Sequence, residues 1–169
     1  MINSNIGFIR GDSFSESEAS ATIYNVCQKV EWRVSDVRLS VKRFNENPAL
    51  SLFVRDEDNK EGIGYAVMRP WKSKTGKQHR MYLSFIAVDP FYQGQKIGKQ
   101  LLNKILDIAR ENGAVKVKVE HDNVPKLNAF YEKSTDYAFK SKLVGVNWRG
   151  IEESRSTYTL AEELEAEAV

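Results

Sequence analysis

The feature that most constrains this chain is the run Tyr82–Val88, YLSFIAV, which passes through Asp89–Lys96 directly into an amphipathic helical stretch. A run this nearly continuous in apolar residues predicts a strand buried on both faces. The stretch after it, Ile97–Ala109, predicts a helix, with Ile97, Leu101, Ile105, Ile108 and Ala109 on one stripe and Gly113 as its stop.

The other elements follow from periodicity and punctuation. Ile6–Arg10 reads as a first strand closed by Gly11-Asp12, and Ser13–Glu18 supplies a helix cap and early acids for the stretch carrying Ile23, Val26, Cys27 and Val30. A second helix over Val34–Phe44 ends before Asn47-Pro48, because a residue preceding proline is pushed out of helical geometry. Leu50–Arg55 and Gly62–Met68 predict a hairpin turning at Asp56–Glu61. Val115–Glu120 alternates strictly, with Val115, Val117 and Val119 on one face and Lys116, Lys118 and Glu120 on the other. Pro125–Lys133 is a short helix with proline near its first position, and Ala138–Val146 and Arg155–Leu160 close the chain as strands. The order β, α, α, β, β, β, α, β, α, β, β is that of one mixed-sheet α/β domain over 1–160, followed by an acidic tail over 161–169 (Glu162, Glu163, Glu165, Glu167).

Charge and cysteine content narrow the class. Lys plus Arg exceeds Asp plus Glu by 25 − 23 = 2, too even a balance to imply a nucleic-acid partner. The single cysteine, Cys27, permits no internal disulfide and favours a cytoplasmic protein, with the thiol expected as a buried structural residue. No signal peptide and no apolar run of the ~20 residues needed to cross a bilayer is expected, so no membrane role either.

The turn Gln93–Lys99 has a physical use. The first turn of a helix presents unpaired N–H groups and partial positive charge, and so binds phosphate. Gly94 and Gly98 would let a ligand approach the backbone closely. Lys96 and Lys99 oppose the helix dipole unless an anion sits there. Glycines before a helix also fit a plain tight turn.

Together these segments resemble a known family. Leu83–Pro90, then Gln93-Gly94-Gln95-Lys96-Ile97-Gly98, then Leu101-Leu102 is similar to the central motif of the GNAT superfamily, the GCN5-related N-acetyltransferases. Val115–Val119, Asn123 and Leu127–Lys133 are similar to the family's second motif. The resemblance covers roughly 80–140. Lys96 departs from the pattern where a middle glycine is usual, and Ser134–Tyr137 replaces the usual Gly-Phe.

The resemblance implies a single-domain GNAT fold, a mixed and mostly antiparallel sheet of about six to seven strands flanked by about four helices. It implies acetyl-CoA as co-substrate, no metal, and direct transfer of acetyl to the primary amine of a small molecule or of a peptide or protein. A homodimer would be common for such a fold. The alternative is a catalytically silent GNAT-like module that binds acyl-CoA. The backbone of Ile86, Ala87 and Val88 would pair with the pantetheine arm. Gln93, Gly94, Gln95, Lys96, Ile97, Gly98 and Lys99 would hold the pyrophosphate, and Asn123 and Asn128 would contact the ligand. Tyr131 matches the family's general acid. Glu120, at the end of the alternating strand, and His121 beside it are the candidate bases, and Tyr82 and Ser84 on the central strand could instead line a water path; His79 is expected to be solvated. Trp32, Trp71 and Trp148 fall in segments that shape acceptor pockets in this family.

Overall fold

The computed structural model describes residues 5–71, 80–92 and 94–161. Among the described residues, seven strands and four α-helices follow the expected order: β1 (Ile6–Arg10), α1 (Glu16–Lys29), α2 (Val34–Glu46), β2 (Ser51–Asp56), β3 (Glu61–Trp71), β4 (Arg80–Val88), α3 (Ile97–Glu111), β5 (Lys116–Asp122), α4 (Pro125–Lys133), β6 (Ala138–Val146) and β7 (Glu152–Thr159). The sheet order is β1-β2-β3-β4-β5-β7-β6. The β1–β2, β2–β3, β5–β7 and β6–β7 ladders are antiparallel, and β4–β5 is parallel. This is the expected α/β GNAT architecture, a mixed and mostly antiparallel sheet. The chain forms two compact units, Met1–Arg69 with Ser84–Ile105 and Pro70–Leu83 with Leu106–Val169. Among the described residues no helix is long and apolar enough to cross a membrane.

In the first unit, Ser15 caps α1 by accepting the Glu18 N–H at 3.2 Å, and Asp36 caps α2 by accepting the Arg33 N–H at 3.0 Å. The buried face of α1 (Ala19, Ile23, Val26, Cys27) packs with Phe44 of α2 and with Phe53, Tyr65, Val67 and Ala87 of the strands. A polar chain crosses this apolar core. Ser40 Oγ donates to the Asp36 carbonyl at 2.8 Å, so the Tyr65 hydroxyl, 2.8 Å away, must donate to Ser40. The Cys27 thiol, 3.2 Å from the same hydroxyl, is then left to donate to it. Burial raises the Cys27 thiol above its ordinary pKa and the Tyr65 phenol well above its own. Cys27 is therefore a buried structural thiol, as expected.

In the second unit, β7 lies between β5 and β6, with Val117 opposite Tyr158 and Val119 opposite Ser156. Val117, Val119, Ser156 and Tyr158 are buried, which leaves Lys116, Lys118 and Glu120 on the other face, as the alternation predicts. The last strand begins at Glu152, ahead of the expected Arg155. The residues Glu152–Ser154 lack an apolar run, and they become strand because Asp122, His121 and Val146 offer ladder partners on both sides.

Candidate active site

The phosphate turn lies in the first unit and is held from beneath. Asp89, 2% exposed, donates its N–H to the Ile63 carbonyl at 2.7 Å and accepts the Phe91 N–H on Oδ1 at 3.0 Å. Its Oδ2 meets Lys29 Nζ at 2.8 Å. The buried Tyr92 hydroxyl donates to Asp56 Oδ2 at 2.7 Å, and burial followed by that bond pushes the phenol up to about 12. These four side chains fix the chain as it leaves β4, and of them the family motif contains only Asp89. Asp89-Pro90 was the one local sign, since Asp before Pro favours a turn.

Beyond this anchor the backbone takes left-handed geometry, with φ of 87° at Gly94 and 59° at Lys96. A Cβ built on Gly94 would meet nothing within 4 Å, so the approach to the turn is open. Gln100 N–H to Lys96 C=O, at 3.1 Å, is the first bond of α3. The N–H groups of Ile97, Gly98 and Lys99 therefore belong to the first turn, where no intrahelical acceptor exists. The Ile97 side chain is buried and fixes the helix, whereas Lys96 and Lys99 are exposed. No acid stands in the first turn of α3. Gln93 lies outside the described residues, as do His79 and the residues 162–169 of the acidic tail. On the strand before the turn, Ala87 is buried and Ile86 and Val88 are partly so. Ser84 Oγ is a buried atom with no hydrogen-bond partner among the described residues.

The second unit carries Tyr131, His121 and Glu120. Tyr131 of α4 is buried, and its ring stacks on His121 with centroids 4.3 Å apart. Burial raises the Tyr131 phenol well above its ordinary pKa. The Tyr158 hydroxyl donates to the Tyr131 backbone carbonyl at 2.6 Å and pins this turn of α4 to β7. His121 is fully engaged. Nδ1 lies 3.0 Å from the Asp122 carbonyl, an atom that only accepts, so Nδ1 carries the proton. Nε2 then accepts from Ser156 Oγ at 2.7 Å. Burial lowers the His121 pKa and keeps the ring neutral.

Glu120 lies on the opposite face of β5. Arg155 Nε and Nη2 both donate to its Oε1, at 3.2 and 2.7 Å, and its Oε2 receives no bond among the described residues. Asn123 and Asn128 are brought together, Asn128 Nδ2 donating to Asn123 Oδ1 at 2.8 Å. Asn128 Oδ1 is buried and has no hydrogen-bond partner among the described residues. Of the three tryptophans, Trp32 packs in the first unit's core against Tyr65 and Phe85. Trp71 lies against Tyr82 and Lys118 in the second unit, and Trp148 is 63% exposed.

In the first unit, the N–H groups of the first turn of α3 with the exposed Lys96 and Lys99 are donors that suit a pyrophosphate; in the second unit, Asn128 Oδ1 is an acceptor that suits an amide N–H.

The sequence between residues 17 and 137 matches the model of the acetyltransferase (GNAT) family. No curated protein matches the chain. Solved structures share its fold. A chain of the NatC complex bound to Gag peptide and CoA superposes with a TM-score of 0.78 at 16% identity, covering 92% of this chain and 99% of that one. For yncA of Salmonella typhimurium, solved with its cofactor acetyl-CoA, the values are 0.71 and 19%, with 94% and 95% covered. For Ard1 of Thermoplasma volcanium they are 0.74 and 15%, with 93% and 99% covered. With a family match that takes in the anchored turn and the tyrosine helix alike, the chain belongs to the GNAT family and is an acetyl-CoA-dependent N-acetyltransferase.

Proposed function

We propose that the protein transfers acetyl directly from the thioester to a primary amine of a small molecule or of a peptide or protein, with residues 1–160 as the catalytic domain. The pyrophosphate lies on the turn Gly94–Lys99, preceded by Gln93, with Ile86–Val88 along the pantetheine and Asn123 and Asn128 contacting its amides. Glu120 takes the amine proton, directly or through a water. Its Oε2 has no partner among the described residues, whereas both ring nitrogens of His121 are committed. As the amine nitrogen bonds to the carbonyl carbon and the carbon–sulfur bond breaks, Tyr131 offers its O–H to the departing sulfur. Burial keeps that phenol protonated at neutral pH, the state a donor needs.

The observation that carries this reading is the open left-handed turn at Gly94 and Lys96, running into an α3 first turn that holds lysine and no acid. The test is thiol release from acetyl-CoA across an amine and peptide panel. Glu120→Gln should lower kcat ~100-fold near neutral pH. An unchanged rate would remove Glu120 from the mechanism.

A further inference from the structure

One face of the second unit's sheet concentrates positive charge that the acyl transfer does not use. The registers align Arg80 with Lys116, Lys118 with Thr157 and Lys140, and Arg155 with Lys142. Paired positions point to the same side of a sheet, so these six cations share the face opposite Val117 and Val119. The four strands β4, β5, β7 and β6 span only ~14 Å, at ~4.8 Å per neighbour. The acids of this face gather at the C-terminal end of β5, where Glu120 pairs with Arg155, Asp122 pairs with Arg149 and Glu153 lies opposite Asp122, so the basic part of the face is Lys118 with Lys140 and Lys142.

Lys118 stands at the centre. Its Nζ lies 3.6 Å from the Trp71 ring centroid, with the Arg80 guanidinium 5.2 Å from the same ring. Its pKa is lowered, by burial first and then by Arg155, Arg80, Lys142 and Lys116, all of one sign. Holding like charges this close is unfavourable, and an anionic partner relieves it. The chain as a whole is only +2, so the charge is local. The partner is a polypeptide rather than RNA, because Lys118 and Arg80 already engage the Trp71 ring and leave it a poor platform for a base to stack on.

We propose that the acceptor is a polypeptide whose acidic side chains lie on Lys118, Lys140 and Lys142 while its amine is presented at the C-terminal end of β5. The proposal rests on the reading of Glu120 and Tyr131 as the reacting residues. Lys118 lies four residues before Asp122, ~13 Å along the strand, a distance that an extended peptide covers in about four residues. The acids therefore fall roughly two to five positions beyond the acetylated amine.

The test uses the full chain and three peptides with the same free N-terminal residue and Glu, Ala or Lys at positions three to five. The Glu peptide should show a KM about tenfold below the Ala peptide. The exposed pair Lys140→Glu/Lys142→Glu should raise that KM about tenfold and turn the preference toward the Lys peptide. Binding of a labelled Glu peptide to the unaltered protein should weaken about tenfold between low and moderate salt, a readout independent of turnover and of any mutant's folding. Equal KM values for the three peptides, or salt-insensitive binding, would overturn the proposal. So would tighter binding of an RNA oligonucleotide than of the Glu peptide. Strong tightening after removal of residues 162–169 would overturn it too, by making the chain's own acidic tail the occupant. Charge-dependent binding without thiol release from any peptide, while a small amine is acetylated, would overturn the polypeptide as acceptor and leave Glu120 and Tyr131 in place; no thiol release from any amine would overturn the roles given to those two residues.

Discussion

The imidazole of His121 lies face to face with the phenol of Tyr131, their centroids 4.3 Å apart and their planes 24° from parallel. Because Nδ1 and Nε2 of His121 are tied to the Asp122 carbonyl and to Ser156, the imidazole is a fixed plate and the phenol rests against it. The stack positions the hydroxyl of Tyr131, while the Tyr158 bond to the Tyr131 carbonyl holds its backbone.

Tyr131→Phe keeps the stack and the backbone bond and removes only the O–H. It should lower kcat ~100-fold, the usual scale for one acid–base group, while calorimetry shows acetyl-CoA affinity within about twofold of the unaltered protein. A full rate across the pH range would exclude Tyr131 as the donor to sulfur.

His121 also predicts a pH dependence of stability. Its folded pKa is lowered by burial, below the unfolded value of ~6.5. The unfolded chain therefore binds the proton first on acidification, and stability falls as pH drops from ~6.5 toward the folded pKa. Urea denaturation between pH 7 and 5 in a His79→Gln background, where His121 is the one histidine left, should show the loss. Adding His121→Gln should flatten it.

Lys96 sits at φ 59°, where a side chain is strained and glycine is not. Lys96→Gly should raise stability by about 1 kcal/mol by relieving that strain, yet weaken acetyl-CoA binding about three- to tenfold through loss of the ammonium. Lys96→Ala should weaken binding equally without the gain in stability. Unchanged affinity in both would show that the ammonium does not reach a phosphate.

Tyr65→Phe breaks the chain from Cys27 through Tyr65 to Ser40 inside the first unit's core. Ser40 keeps its bond to the Asp36 carbonyl but loses the donor to its own oxygen. The expected loss is about 1–2 kcal/mol by urea denaturation. An unchanged stability would mean that the Ser40 bond contributes nothing.

The sequence by itself determined the element order and nearly every boundary. Each of those signals is local: the period of Ile97–Ala109, the alternation of Val115–Glu120, the proline at the head of α4. It also carried the family's two motifs, and with them the turn and Tyr131. What it left open depends on contacts between residues distant along the chain. Nothing near Glu120 announces that Arg155 will occupy one of its oxygens, and His121 reads as a free base until Ser156 and the Asp122 carbonyl close on its ring. The anchoring of the turn by Lys29, Asp56 and Tyr92 is likewise invisible, because its partners come from α1, β2 and the loop after β4. The clustering of Lys118 with Lys140 and Lys142 exists only once β7 threads between β5 and β6. Periodicity fixes which way a side chain points, but only tertiary pairing fixes what it meets, and protonation, pairing and local charge all depend on that.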